Sequence, residues 1–510
     1  MRFPPKTAAS VPVALALATF GLLALAARSD VTLAGNESSR LAAVESLVER
    51  GTFAIDGSPF RTVDSVRVDG RTYSDKPPLL TVWLAAVYGL LRHGFGLSFA
   101  DPGSYGLALR LLTAVGIGSF CVVLVLLFFW RLETTGLAPE PRAFLSATAV
   151  FGTWVLPYGV TISNHAPAAT IAFATWIALE RWSARPAPRR ALGAGLLAGA
   201  LLNLDLPTGG LFALGGLTLI RLGERGASVR SGGAFAIGVA VPAAILVALD
   251  LRQHGSVFPA YLVSGAYDDG FHAATIAGLR PTRDLAAYWR DVTLGSRGIL
   301  SHLPVLLFAG AATWSGPPRR VLAAVLLAVA LFYGTATGDY GGWAFGFRYL
   351  VPLVPLLFLF AIEGFLNIRA RRRRRSRRAV TGVFVGALLI GIFTSAVGAW
   401  NPWPVCFEGE ETNARARAGC AAARLDARVR SPLAANLLCL AYERSPDAAW
   451  TRQLASIALG TDVYEERLTR RYLERAFVNL RRPERLLTPG ATSRRPRPDP
   501  SSISRSPATP

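Results

Sequence analysis

Lysine is almost absent from this chain. Lys and Arg together number 54, yet Lys6 and Lys76 are the only lysines, so the positive charge is arginine nearly everywhere else. Cysteine is scarce too, and four residues in 510 exclude a disulfide-stapled scaffold. Cys121 falls inside an apolar run. Cys406, Cys420 and Cys439 fall in the C-terminal tail, where one pair can bridge outside the cytoplasm or all can remain small unpaired hydrophobes. Acidic side chains are outnumbered, 33 against 54, giving a formal net charge of +21. A nucleic-acid partner is one meaning of such an excess. Here the arginines sit beside apolar runs, which the positive-inside rule explains better, so no nucleic acid is expected. No internal repeat is present.

What is abundant is apolar length. The chain is 52% hydrophobic, and those residues come in repeated runs separated by short charged or Gly/Pro-rich loops. A soluble chain of this size would instead divide into two or three domains. The runs at 11–27, 108–130, 143–159, 166–182, 191–205, 210–222, 232–250, 298–314, 321–337, 348–366 and 379–400 read as membrane spans. The first comes after the basic MRFPPK, which places the N-terminus in the cytoplasm. A signal peptide cleaved near Ala24-Leu25-Ala26 is the rival reading, and in both cases the segment from residue 28 onward lies outside. Residues 79–91 are apolar but short, and Arg92-His93 ends them, so they read as interfacial or re-entrant. If they do not cross, the arginine-bearing loops at 131–142, 181–190, 221–230, 317–320 and 369–378 all fall in the cytoplasm. If they do cross, every later loop inverts and the rule fails. The predicted fold class is therefore an all-α polytopic membrane protein of the plasma (inner) membrane. It has about 11 spans and a large extracytoplasmic first loop carrying a juxtamembrane amphipathic helix. The membrane domain occupies 1–400, with outer loops at 28–104, 251–297 and 338–347. Residues 401–488 read as an extracytoplasmic helical tail and 489–510, rich in Pro, Ser and Arg, as disordered.

The first outer loop is the unusual part. Between apolar flanks, residues 35–80 are polar, rich in carboxylates and dense in turn residues. Leu41, Val44, Leu47 and Val48 recur at helical spacing and Gly51 is a natural stop, which gives a short amphipathic helix suited to a membrane surface. Residues 66–73 read as a hairpin turning on Asp69-Gly70. The hairpin delivers Asp75-Lys76-Pro77-Pro78 to the membrane edge. A lone lysine beside an acid suits a point charge on a phosphate, although two stray lysines also arise by chance.

A carboxylate-bearing outer loop over a helix bundle suggests work on a lipid-linked substrate. The outer face has no ATP, so a transferase there needs a donor already activated and anchored, and a polyprenyl-phosphate sugar is both. Cations must hold the departing phosphate, and a carboxylate must take the acceptor hydroxyl's proton. Attack opposite the phosphate inverts the anomeric carbon. Lys76 is one cation. Arg348, opening a span after Tyr340-Gly341-Gly342-Trp343, is the other, unless it only snorkels to headgroups. Among the carboxylates Glu37, Asp64, Asp69 and Asp75, the first and last are best placed for catalysis, and Asp69 reads as a turn residue. Asn36, Arg40, Tyr73, His165, Tyr267 and Trp343 are candidate contacts to sugar or acceptor. Asn164-His165 serves the site or only a helix end. Asp205 caps a helix or contacts the site. The loop 251–297 adds Tyr261, Asp268, Asp269, His272, Arg280 and Asp284. Asp268-Asp269 leaves a divalent cation open, or is an exposed turn, and no other cofactor is implied.

An acid just after the first span, a helix ending in Gly51 and an acid-Lys-Pro motif together resemble the GT-C glycosyltransferases. The aminoarabinose transferases of lipid A and the protein O-mannosyltransferases are nearest in pattern. With Asn164-His165 and Gly346-Phe347-Arg348-Tyr349-Leu350, the chain is similar to a group of bacterial membrane proteins related to them. The resemblance covers about residues 11–400. It implies a polyprenyl-phosphate-sugar donor, an extracytoplasmic site, and a lysine (Lys76) that meets the carrier phosphate, with Asp75 as the preceding acid. Family members carry Asp-Glu after the first span, with the Asp as base. Here Asn36-Glu37 stands there, so Glu37 or Asp75 must take that role. The expected activity is transfer of a sugar to a glycan, lipid or protein acceptor at the bilayer. A flippase of lipid-linked glycan would instead need ionisable residues midway along the spans. A GT-C relative without catalysis, acting in envelope assembly, is the other rival.

Overall fold

The computed structural model describes residues 6–29, 35–60, 62, 64–222, 229–263, 284–337, 341, 344–403, 431–434, 436–437, 449–450, 453–454 and 457. The first helix, α1 (Lys6–Ala26), is succeeded by α2 (Gly35–Arg50), the hairpin strands β1 (Ser65–Val68) and β2 (Arg71–Ser74), and α3 (Pro78–Phe95). Next come α4 (Pro102–Thr113), α5 (Ser119–Arg131), α6 (Pro139–Phe151), α7 (Val155–Gly159), α8 (His165–Ala184), α9 (Pro188–Leu204), α10 (Leu206–Leu222) and α11 (Val229–His254). The remaining helices are α12 (Leu285–Thr293), α13 (Ile299–His302), α14 (Pro317–Ala336), α15 (Val354–Ala370) and α16 (Arg374–Trp400).

This is a mostly helical, polytopic membrane protein. Among the described residues, five helical stretches are long and apolar enough to cross a bilayer: Pro102–Thr135, Val229–His254, Pro317–Ala336, Arg348–Ala370 and Arg374–Trp400. Ser10–Ala26 and Leu206–Ile220 are apolar but shorter. The first of the five joins α4 to α5 through a π turn at Ala114–Gly118, where the Trp83 indole donates to the Gly116 carbonyl at 2.9 Å. The expected span at 298–314 is not one continuous α-helix. It is the four-residue α13 and then a 3₁₀ stretch, Pro304–Ala311, because Pro304 removes an amide donor at the join. The expected span at 143–159 is likewise broken, between α6 and α7.

Helices α9 and α11 cross at glycines. A Cβ on Gly195 would lie 2.2 Å from the Phe235 carbonyl, and one on Gly238 would lie 2.4 Å from that of Leu192. The two backbones meet because neither carries a side chain there, which is how membrane helices gain contact area without a hydrophobic driving force.

The outer loop departs from a simple surface helix. Helix α2 starts six residues before Leu41, so Asn36 and Glu37 fall in its first turn. Residues 36–46 are buried all round, polar ones included. A helix lying on a bilayer would bury one stripe only. Here α3 and β2 both pack against α2, Thr62 Oγ1 donates to the Gly35 carbonyl, and the Asp64 carbonyl accepts from Ser39. Strands β1 and β2 pair Ser65 with Ser74 and Val68 with Arg71, turning on Asp69 (φ 50°) and Gly70 (φ 76°). Both turn residues are left-handed, as a two-residue hairpin of this hand requires.

Candidate functional site

The hairpin ends at Ser74, and the chain then turns sharply into α3, where Pro77 and Pro78 fix the entry. That turn holds Lys76 in an ionic triad. Its Nζ lies 2.8 Å from Asp64 Oδ2 and 3.0 Å from Asp75 Oδ1. Ser39, fully buried on α2, organises the two acids. Its Oγ donates to the Asp64 carbonyl at 2.6 Å, lies 2.7 Å from Ser74 Oγ and 3.4 Å from Asp75 Oδ1. From α11, Gln253 Nε2 donates to the Ser74 carbonyl at 2.5 Å. The acid-lysine pair is thus pinned from two helices that sequence reasoning did not connect to it.

The next residue of α2, Arg40, is 2% exposed, and its Nη2 donates to Asn164 Oδ1 at 3.1 Å. Burial draws this guanidinium down to about 10, against the raising effect of Asp75 and Asp64, while Arg348 adds to the lowering. It remains charged at neutral pH. Asn164 in turn donates to the Leu204 carbonyl at 2.8 Å, tying the start of α8 to the end of α9. His165 is buried with its ring 5.1 Å from that of Tyr158, and the charges of Arg348, Arg40 and Lys76 all act on it. Its ring nitrogens make no hydrogen bond among the described residues.

Arg348 sits at the opening of the Arg348–Ala370 stretch, over the rings of Tyr349 (5.2 Å) and Trp403 (5.4 Å). The turn before it depends on Gly346, whose φ is +69° and whose added Cβ would lie 2.6 Å from the Trp154 ring. Tyr349 stacks on Tyr333 at 4.6 Å, and Tyr333 donates to Asp205 Oδ1 at 2.8 Å. Asp205 also accepts from the Thr208 amide at 3.0 Å, so it both caps α10 and supports the aromatic pair. Tyr261 is half-buried, and its phenol is raised by desolvation first and by the charges of Asp205, Asp250 and Asp75 second.

Lys76, Asp75, Arg40, His165 and Arg348 are therefore brought to one end of the bundle. Glu37 is 1% exposed, and its Oε1 accepts from Thr161 Oγ1 at 2.5 Å and from the Ile162 amide at 3.1 Å. It anchors the turn that carries Asn164. Asn36 is buried in the same first turn of α2. Tyr73 stays apart from the ionic cluster and packs with Val66, Ala260 and Val263. Asp284 caps α12 by accepting from the Ala287 amide at 2.9 Å. Tyr267, Trp343, Asp268, Asp269, His272 and Arg280 lie outside the described residues, as do Cys406, Cys420 and Cys439. Among the described residues no group of three or more His, Cys, Asp or Glu side chains is placed to hold a metal.

Sequence reasoning missed Ser39, Thr161, Gln253, Tyr333 and Trp403. Gln253 offered one signal, a polar amide at the end of a long apolar helix. The others are small polar or aromatic residues whose roles appear only when distant segments meet.

No protein-family model matches the chain, and no curated protein sequence matches it. Among solved structures it is similar to the crystal structure of ArnT from Cupriavidus metallidurans bound to undecaprenyl phosphate. The likeness has a TM-score of 0.47 and 14% sequence identity, and covers 94% of this chain and 78% of that one. A superposition of that quality assigns neither a family nor a site.

Proposed function

We propose that this chain is a membrane glycosyltransferase that moves a sugar from a polyprenyl-phosphate carrier to an acceptor hydroxyl outside the cytoplasm. The observation that carries the reading is the polarity of the helices that meet at the site. Helices α8, α14 and the Arg348–Ala370 stretch each present a site residue at one end: His165, Tyr333 and Arg348. Each carries arginine at the other: Arg181, Arg319 and Arg369. If arginine marks the cytoplasmic ends, the cluster faces outward. A site there that concentrates three cations beside two carboxylates suits an anionic carrier and a proton-losing acceptor.

In this reading Lys76, Arg348 and Arg40 hold the carrier phosphate. Drawn towards it, Lys76 loosens its hold on Asp75, which becomes the base. The acceptor oxygen attacks the anomeric carbon opposite the phosphate, its proton passes to Asp75, and the carbon–oxygen bond to the phosphate breaks. The electron pair leaves on the polyprenyl phosphate, with inversion at carbon. Glu37 holds the 160–164 turn rather than reacting. The eleven-span topology, with residues 79–91 interfacial or re-entrant, belongs to the same proposal, as do the division at residue 400, the plasma-membrane location and a glycan, lipid or protein acceptor.

The test is mass spectrometry of envelope polyprenyl lipids in a strain lacking the gene, complemented with full-length variants. Deletion is expected to accumulate one lipid-linked sugar. The wild type should clear it, whereas Asp75→Asn and Lys76→Ala should not. No accumulation, or clearance by both variants at the wild-type level, would overturn the reading.

A further inference from the structure

Resting on the carrier-phosphate site just proposed, we propose that Trp403 is a positioning residue for Arg348 and that the C-terminal tail, through Asn436, sets it in place. Trp403 lies three residues beyond α16 and is 3% exposed. It touches three parts of the site at once. Arg348 Cζ is 5.4 Å from its ring centroid. Its Nε1 donates to Thr161 Oγ1 at 3.4 Å, and that hydroxyl donates to Glu37. Its ring meets that of Tyr158 edge-on at 5.5 Å. The backbone beside it is fixed as well, because the Pro402 carbonyl accepts from the Phe345 amide at 3.0 Å.

The direction in which the chain leaves α16 decides where Trp403 lands, and a tail residue sets that direction. Asn436 is fully buried, and its Nδ2 donates to the Val397 carbonyl at 3.0 Å and the Asn401 carbonyl at 2.9 Å. Those carbonyls belong to the end of the helix, where no intrahelical donor remains for them. Ala434 is buried next to it and Leu433 packs on the main core. The tail thus returns to the membrane domain and closes the last turn of α16. The indole face then confines the Arg348 guanidinium before any phosphate arrives, which lowers the ordering cost of binding.

The experiment measures undecaprenyl phosphate binding to the purified full-length protein, with tryptophan emission recorded in the same titration. Trp403→Ala should weaken binding about fivefold, equivalent to about 1 kcal/mol, which is the scale of a cation–π contact. Trp403→Phe keeps a ring face and should bind within about twofold of wild type. Asn436→Ala should fall between them. The emission change that wild type shows on binding should be reduced in Trp403→Phe although that variant still binds, a loss that a purely structural role would not produce. If Trp403→Ala binds like wild type, or Trp403→Phe keeps the full emission change, the inference is overturned. If Trp403→Ala does not fold, the emission of Trp403→Phe decides. Arg348→Ala and Lys76→Ala separate the two levels. If both bind as wild type, or wild type does not bind, the phosphate site itself falls. If both lose binding while Trp403→Ala does not, only the role of Trp403 falls.

Discussion

Replacing Lys76 by methionine separates its structural from its functional role. In the structure Nζ lies 2.8 Å from Asp64 and 3.0 Å from Asp75, whose side chains are 20% and 7% exposed. Methionine keeps the stem and removes the charge, leaving two carboxylates together. Stranding a fully buried partner costs about 3–5 kcal/mol, whereas an exposed pair is worth about 0–1. With the lysine side chain 15% exposed and Arg40 still supplying positive charge nearby, the expected loss is about 2 kcal/mol. The double variant Lys76→Met/Asp64→Asn removes one of the stranded charges and should recover roughly half of that loss. Carrier binding should not recover, because a charge-assisted contact to phosphate worth about 1.5–3 kcal/mol is gone, so affinity stays about 10- to 100-fold down. Thermal unfolding of the solubilised full chain ranks stability, and undecaprenyl phosphate titration measures binding. A single variant as stable as wild type would refute the account of the triad. A double variant that bound within twofold of wild type would refute the role of the lysine.

Ser39→Ala should cost about 1–2 kcal/mol of stability, since a buried hydroxyl that organises Asp64 and Asp75 is lost, and should slow transfer in complemented cells more than it weakens carrier binding. Glu37→Gln keeps a carbonyl oxygen able to accept from both Thr161 and Ile162, so stability should stay within about 1 kcal/mol and lipid clearance should persist. Loss of clearance with normal stability would instead make Glu37 the base. Asp205→Ala removes a helix cap and the partner of Tyr333, and should cost about 1–2 kcal/mol in thermal unfolding, whereas Asp205→Asn retains an acceptor and should cost less. Gly346→Ala places a side chain at positive φ and against Trp154, and should cut the yield of folded protein sharply while Gly386→Ala, with open space around it, does not.

The sequence carried the parts of this site that depend on local pattern. The hairpin was legible because Asp69-Gly70 demands left-handed turn geometry between short β-prone runs, and the structure forms it there. Lys76 was conspicuous because the composition made lysine rare. The start of α2 at Gly35 was not legible, since residues 35–40 carry nothing apolar to extend the periodic stripe. Its polar first turns are helical because tertiary partners satisfy them: Thr161 and Ile162 for Glu37, Asn164 for Arg40, Ser74 for Ser39. Those partners are 35 to 125 residues away in sequence, a separation across which hydrophobic periodicity has no reach. Trp403 and Asn436 were invisible for the same reason, and they lie in a segment whose composition suggested only a helical tail outside the membrane.

The three cations at the site are not equivalent, and the difference bears on what the site is for. Lys76 is matched by two carboxylates within salt-bridge distance. Arg348 lies against two aromatic faces. Arg40 is the most deeply buried of the three, yet its hydrogen-bond partner is the neutral amide of Asn164, and its Nε and Nη1 donate to no group among the described residues. A guanidinium buried only for stability would be expected to collect a carboxylate, because one uncompensated buried charge offsets much of what a helix of this length gains by packing. Asp64 and Asp75 lie near enough to raise it, but both are committed to Lys76. Departures from the pairing rule of this kind are expected at sites that bind rather than at sites that only pack. An anion reaching Arg40 would supply the missing acceptors and reduce the cost of its burial at once. Arg40→Met should therefore leave the apo protein at least as stable as wild type, while undecaprenyl phosphate should stabilise wild type against heat far more than it stabilises the variant. Equal stabilisation of the two by the ligand would show that the charge of Arg40 belongs to the fold alone.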